Sequence, residues 1–328
     1  MDLSENKLGD GGIQALCAAL PGNSTLLRLG LSGNHLGTRA AAHLADSLLV
    51  NHKIESLDLS HNQLDDRAGE FLGRALAENT GLKELFLSWN HFHSPGAVAL
   101  ARGLEVNPAD GKGCSRLHPQ SALLCGSPAA SLVGSRSHGD RPSPPVPKAQ
   151  VAWREGVGRG HLQLSLGGRD GEGPGVWGPT PCPPQANIFL KVLDVSYNGF
   201  GDPGAAALGV ALRGNNVLEE LDVSNNRISP AGALRLASGL RENRTLRTLV
   251  MARNPMRSEG SVRVLKSIQA NARSSLEMLD FTDISVNKDF WELSEAVRGL
   301  FPRLRILHGG FPAPFRRDRS KLPDEAAA

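Results

Sequence analysis

The chain has 328 residues, 40% of them hydrophobic and 21% charged, with a formal net charge of +3. It has no opening apolar run and no apolar stretch of about 18 residues, so neither a signal peptide nor a membrane span is expected. Its four cysteines form neither a disulfide framework nor a zinc spacing, which excludes those site classes and favours a reduced, cytoplasmic setting with no metal and no cofactor.

From the N-terminus, asparagine sets the frame. Asn6, Asn34, Asn62 and Asn90 are 28 residues apart, and after a gap Asn198, Asn226 and Asn254 are again 28 apart. Each sits in the same phrase: LSENKL, LSGNHL, LSHNQL, LSWNHF, VSYNGF, VSNNRI, MARNPM. A fixed period near this length is the mark of a stacked repeat. Within a unit, pairs such as Leu57–Leu59 and Leu221–Val223 have the period of a strand, and Leu72 with Leu76 has helical spacing. Each unit therefore reads strand, turn, helix, with parallel strands on one side and helices outside. The repeated Asn is expected to satisfy backbone groups that the turn leaves unpaired. A second Asn follows seventeen residues after each ruler (Asn23, Asn51, Asn79, Asn107, Asn215, Asn243, Asn271), a helix exit where a left-handed backbone is expected.

Residues 1–105 hold four units. The first, MDLSENKL, begins already inside a strand, so an N-terminally shortened form without a cap is expected, offering Leu3 and Leu8 to water and an edge open to dimerisation. The ruler then breaks: Asn90 and Asn198 are 108 residues apart, one period plus 80. Residues 106–185 are an insertion rich in Gly, Pro, Ser and Arg, expected to be disordered. One of several windows that restore the register, Val106–Gln185, permits a GT start, a pyrimidine tract and a terminal AG, so it reads as a translated, retained intron, with a genuine low-complexity loop as the alternative that sequencing the transcript distinguishes. Joining Glu105 to Ala186 places Asn187 in the vacated helix-exit slot. Closing such a loop costs roughly 4 kcal/mol, less than leaving two apolar repeat faces bare, so the halves should stack. Residues 186–275 hold three more units, 276–307 form a divergent C-terminal cap, and 308–328 are expected to be a disordered tail.

These phrases resemble the leucine-rich-repeat family, in its ribonuclease-inhibitor-like branch with long, helix-bearing repeats. The resemblance implies an α/β fold, a right-handed solenoid or horseshoe with a concave parallel sheet and convex helices. It also implies a surface that binds other proteins rather than an enzyme. Similar repeats occur in the Ran GTPase activator family, so a GTPase-activating protein is one alternative. The chain lacks that family's long acidic tail, and its structural Asn ladder leaves no distinctive catalytic Asn. A non-functional splice isoform is the other alternative.

Outside the insertion and tail the charge is close to balanced, which does not fit a nucleic-acid binder. Residues 1–105 carry eight Lys/Arg against twelve Asp/Glu, and residues 186–307 carry sixteen against thirteen, a polarity that can orient a partner. Strand alternation places residues six, four and two before each Asn on the inner face, with the residue just before the Asn at its rim. The candidate protein-binding residues on this surface are Asp58, Glu84, Phe86, Trp89, Asp194, Tyr197, Glu220 and Asp222. Phe86, Trp89 and Tyr197 are expected to form one patch with acidic neighbours, because Trp and Tyr supply contact area with a polar handle. The His91/His93 pair lacks further metal ligands, and Arg141, Pro144 and Pro147 match a polyproline-ligand spacing within the insertion. No catalytic residue is assigned, and the identity of the protein partner is not legible.

Overall fold

Leu57 lies between Ser56 and Asp58, so a strand of three residues turns one leucine to the core and two polar side chains to the opposite face, and Leu59 just beyond it is buried again. The same economy of length recurs along the computed structural model, which describes residues 1–105 and 187–310. In chain order the elements are α1 (Gly9–Ala19), β1 (Arg28–Gly30), α2 (Thr38–Val50), β2 (Ser56–Asp58), α3 (Asp66–Glu78), β3 (Glu84–Phe86) and α4 (Ser94–Leu104). Then follow β4 (Val192–Asp194), α5 (Gly201–Gly214), β5 (Glu220–Asp222), α6 (Pro230–Leu240), β6 (Thr248–Val250), α7 (Arg257–Gln269), β7 (Met278–Phe281), α8 (Lys288–Leu300) and β8 (Arg305–His308). The eight strands form one parallel sheet in sequence order, and consecutive helices pack on its other side. The core is the layer between them, built from leucines such as Leu57, Leu59, Leu72 and Leu76.

The Asn ladder ties each unit to the one before it. Asn62 Nδ2 donates to the carbonyls of Leu59, Ser60 and, in the preceding unit, Leu31, each at 3.0 Å. Its Oδ1 accepts the Asn34 N–H at 2.9 Å and the Leu36 N–H at 3.0 Å. Asn34, Asn90, Asn198, Asn226 and Asn254 also reach one unit back. The Asn6 side chain donates within its own turn, to Leu3 O and Ser4 O, while its backbone N–H donates to Asn34 Oδ1. Each buried group left unmade would cost about 1–3 kcal/mol, which explains why a side chain with two donors and an acceptor recurs here.

The second Asn ladder corrects the expected backbone. Asn51, Asn79 and Asn215 are extended, with φ of −88°, −72° and −73°. The side chain does the capping: Asn79 Nδ2 donates to Leu48 O and Asn51 O, and Asn79 Oδ1 accepts the N–H groups of Gly81 and Leu82. Left-handed backbone falls instead just before the ruler Asn, at His61, Trp89, Tyr197 and Arg253.

The two halves stack as expected. β3 pairs directly with β4, setting Glu84 opposite Val192 and Phe86 opposite Asp194. Asn187 occupies the helix-exit slot, donating to Leu76 O at 2.7 Å, and Asn215 donates to Leu104 O. These bonds span 111 residues, where the equivalent Asn79–Leu48 bond spans 31. The insertion readings, including Asn107, the retained intron and the Arg141–Pro147 motif, lie outside the described residues.

Both ends depart from expectation. Leu3 and Leu8 are half-buried against the core rather than offered to water, because residues 1–5 lie beside β1 through Leu3 N–H to Gly30 O and Glu5 N–H to Ser32 O. At the other end His308–Gly310 are held, not free as the assignment of 308–328 to a tail required. His308 closes β8 and packs against Phe290, and the Val286 N–H donates to Gly310 O. Residues 311–328 lie outside the described residues.

Candidate functional site

The inner face resolves into three rows set by the strand register. The first runs Ser56, Glu84, Val192, Glu220, Thr248 and Met278; the second runs Asp58, Phe86, Asp194, Asp222, Val250 and Asp280. On these rows, from β2 to β7, there are six carboxylates and no Lys, Arg or His. None of the six forms an ion pair among the described residues. The third row is hydroxylated: Ser60, Ser88, Ser196 and Ser224 are all buried.

The aspartates are anchored by their own backbone. Oδ1 of Asp58, Asp194 and Asp222 accepts the N–H of Ser60, Ser196 and Ser224 at 2.9, 2.9 and 2.8 Å, and Asp280 accepts from Thr282 at 2.7 Å. This bond caps the end of each strand and fixes the carboxylate's orientation. Burial pushes the Asp222 carboxyl above the usual carboxylate range against the pull of the Ser224 hydroxyl and amide, and the Asp194 and Asp280 carboxylates add to the rise.

At the rim, His61, Trp89 and Tyr197 stack in a column. The His61 and Trp89 rings are 5.5 Å apart and 13° from parallel; Trp89 and Tyr197 are 4.1 Å apart and 12° from parallel. Arg253 donates to the Tyr197 hydroxyl and binds Asp283 at 2.8 Å, closing the column. All four column residues are left-handed, with φ between 53° and 56°. An ordinary side chain loses roughly 1–2 kcal/mol in that conformation. Gly33 and Asn225 occupy the same position in other units at less strain. Aromatic stacking, about 0.5–1.5 kcal/mol per pair, offsets part of the cost. Trp89 nonetheless remains 50% exposed.

The structure thus divides the expected aromatic patch. Trp89 and Tyr197 meet at the rim, while Phe86 lies on the floor in register with Asp58 and Asp194 and has no ring contact with either of them among the described residues. Asp194 and Asp222 are direct neighbours, Glu84 and Glu220 flank Val192, and Asp58 lies beyond Phe86. Sequence reasoning missed His61, Arg253, Asp280 and Asp283. His61 and Arg253 immediately precede a ruler Asn, as Trp89 and Tyr197 do, so that signal was present. Asp280 and Asp283 were hidden because the last unit has Ile284 where the ruler Asn would stand and its strand is set 30 residues on from the one before, as in Thr248 opposite Met278.

Among the described residues no group of three His, Cys, Asp or Glu is placed to hold a metal ion, and no helix is long and apolar enough to cross a membrane. His93 is engaged locally, its N–H donating to Asp66 Oδ1 at 2.7 Å.

The family description "Leucine Rich repeat" matches residues 1–17, 50–73, 78–101, 186–209 and 214–237, and these matches coincide with the stacked units just described. The matched units are leucine-rich repeats. It is 46% identical over 63 residues to human leucine-rich repeat-containing protein 74B, a match covering 18% of this chain and 16% of that protein. A solved structure described as Leiomodin-1 Actin-Binding Site 2 (ABS2) matches with 21% identity and a TM-score of 0.30, over 31% of this chain and 61% of that one. The chain therefore spans less than two thirds of either protein. Leucine-rich-repeat domains generally mediate protein–protein interaction.

Proposed function

We propose that this protein is a non-enzymatic interaction module that captures a protein partner on the concave face, from the cytoplasm. The observation that carries the proposal is the rim column: Trp89 is half exposed yet stacked on Tyr197 and backed by Arg253, next to the acidic floor. A large aromatic surface already held in place loses little entropy on binding, which favours it as an anchor. Asp58, Glu84, Phe86, Asp194, Glu220 and Asp222 surround that anchor as the polar and apolar contacts of the same face.

The test is affinity capture with mass spectrometry, comparing the full chain, a Trp89→Ala/Tyr197→Ala variant and a convex-face variant, Val210→Ser/Leu234→Ser. Val210 and Leu234 are exposed on helices α5 and α6. A partner held by the rim should be weakened by about 2 kcal/mol or more, roughly 30-fold, in the first variant alone. Partners that survive the rim change and vanish with the convex change would refute the concave reading.

A further inference from the structure

On the helical side of the repeats, neighbouring helices meet at two kinds of seam. Between α5 and α6 the approach is backbone to backbone: a Cβ on Gly239 would lie 2.2 Å from Gly209 O. One 28-residue period further on, at the α6–α7 seam, the same two positions are Ala237 and Ser267. Side chains replace bare backbone there, and a cavity of about 690 Å³ stands beside the seam, within the range of about 300–1,000 Å³ typical of ligand sites. Its lining is sorted by charge along the helices. Arg235 comes from α6, Arg241 from the C-terminal cap of α6, and Lys266 from the last turn of α7. None of these three cations forms an ion pair among the described residues. The carboxylates of the lining lie towards the other end, and each has a local role. Glu259, in the first turn of α7, binds Arg263 at 2.6 Å; Asp289 stands in the first turn of α8, where a carboxylate suits the helix dipole. Leu234, 44% exposed, and the half-buried Val262 add an apolar wall.

We infer that the α6–α7 cavity is a docking site for an acidic segment of a protein partner, with carboxylates at Arg235, Arg241 and Lys266 and an apolar side chain of the same segment on Leu234 and Val262. Charge complementarity names the occupant. Three unpaired cations lining one cavity repel one another, and incoming carboxylates relieve that repulsion while accepting charge-assisted bonds. The two guanidiniums are forks that match carboxylate geometry, and they are weakly hydrated, so they give up water at modest cost. The apolar wall decides between a protein segment and a bare polyanion. A chain of phosphates would satisfy the cations and leave Leu234 and Val262 in water, whereas a peptide brings both kinds of side chain. The cavity lies on the helices, so the inference is independent of the concave reading. A partner lost with the convex change alone would refute that reading and leave this one standing.

The experiment is a fluorescence-anisotropy titration of the full chain with a labelled octapeptide of glutamates around a central leucine. An all-glutamate octapeptide controls for the apolar contact, and a lysine octapeptide around the same leucine controls for charge. Each variant is first checked for unchanged far-UV circular dichroism. Arg235→Gln/Lys266→Gln should bind the glutamate–leucine peptide at least about ten-fold more weakly, the loss of one to two charge-assisted bonds. The same charge change at exposed positions of α2 and α3, Arg39→Gln/Arg67→Gln, should stay within about two-fold of the parent. Leu234→Ser should weaken the glutamate–leucine peptide about five-fold and leave the all-glutamate peptide unaltered. Ser238→Glu, which keeps every cation and brings a carboxylate into the cavity, should block binding as the double change does. The lysine peptide should not bind. If both neutralised variants weaken binding equally, or the glutamate–leucine peptide binds all forms alike or none, the site is overturned. Equal affinity of the parent for the two acidic peptides would mean that charge alone is read, and would overturn the mixed site. Sedimentation velocity supplies the last check: self-association of the parent that the Arg235→Gln/Lys266→Gln change abolishes would assign the cavity to a second copy of the chain and overturn the inference.

Discussion

Asp222 and Asn226 are four positions apart, and burial acts on them in opposite ways. Asn226 is fully buried and neutral, and its amide meets Val195 O, Ser224 O and the Phe200 N–H, so burial costs it little. Asp222 is half-buried, and burial together with the Asp194 and Asp280 carboxylates raises it above the usual carboxylate range. Because its folded-state value lies above the unfolded one, the ionised form weighs against the fold at neutral pH. That penalty is removed as pH falls through the folded-state value towards the ordinary carboxylate range. Asp222→Asn keeps the Ser224 contact and drops the charge. The variant should therefore unfold at higher urea than the parent at neutral pH, with the difference shrinking as the solution is acidified below the carboxylate range. Equal midpoints at neutral pH would show that Asp222 is not strained. The row that contains Asp222 was legible from strand alternation, but its crowding depends on which strand lies next to which.

Helices α3 and α4 approach through glycine. A Cβ on Gly69 would lie 2.7 Å from both Cα and O of Gly96, atoms of backbone that cannot rotate away. Two effects compete in Gly69→Ala. Helix propensity favours alanine by about 1 kcal/mol, whereas overpacking against backbone costs about 1–3 kcal/mol. The fixed nature of the clash decides for the second, so the variant should have a lower urea midpoint; a higher one would contradict the close approach. Gly96, Gly204, Gly232 and Gly260 recur six residues after a ruler Asn, so their periodicity was visible in the sequence. Their purpose was not, because a close helix contact involves two units and the repeat describes only one. The helix exits show the same limit. Asn at those positions was legible, but its extended backbone and its bonds into the preceding unit emerge only with that unit in place.

Across the solenoid, the seam at β3–β4 carries the same Asn bonds as the β2–β3 and β4–β5 seams on either side of it. Those bonds need nothing from residues 106–185. Deleting 106–185 joins Glu105 to Ala186 and restores the spacing of the neighbouring units. The shortened chain should keep its far-UV circular dichroism per ordered residue and a urea midpoint equal to or above that of the full chain, since closing the long loop costs roughly 4 kcal/mol. A marked fall in midpoint would mean that the seam relies on the inserted residues. The charge polarity between residues 1–105 and 186–307 persists in the stacked units, with exposed pairs such as Lys83–Glu55 and Lys191–Glu219 along the strand starts. Such pairs contribute about 0–1 kcal/mol each, so they act on encounter more than on stability.

By itself the sequence determined the repeat: its period, its strand–turn–helix order, the two Asn ladders, and the place where the chain leaves and re-enters register. These follow from local spacing, since a hydrophobic period and a turn-satisfying side chain are properties of one unit. Only the tertiary structure decided that Trp89 stacks on Tyr197 while Phe86 stands apart, that Arg253 and Asp283 close the column, and that Asp194 and Asp222 face one another between apolar walls. The reason is the sheet itself. Parallel pairing brings residues 28, or across the insertion 108, positions apart to about 4.8 Å, and at that distance side-chain direction and burial, rather than residue type, determine which neighbours interact.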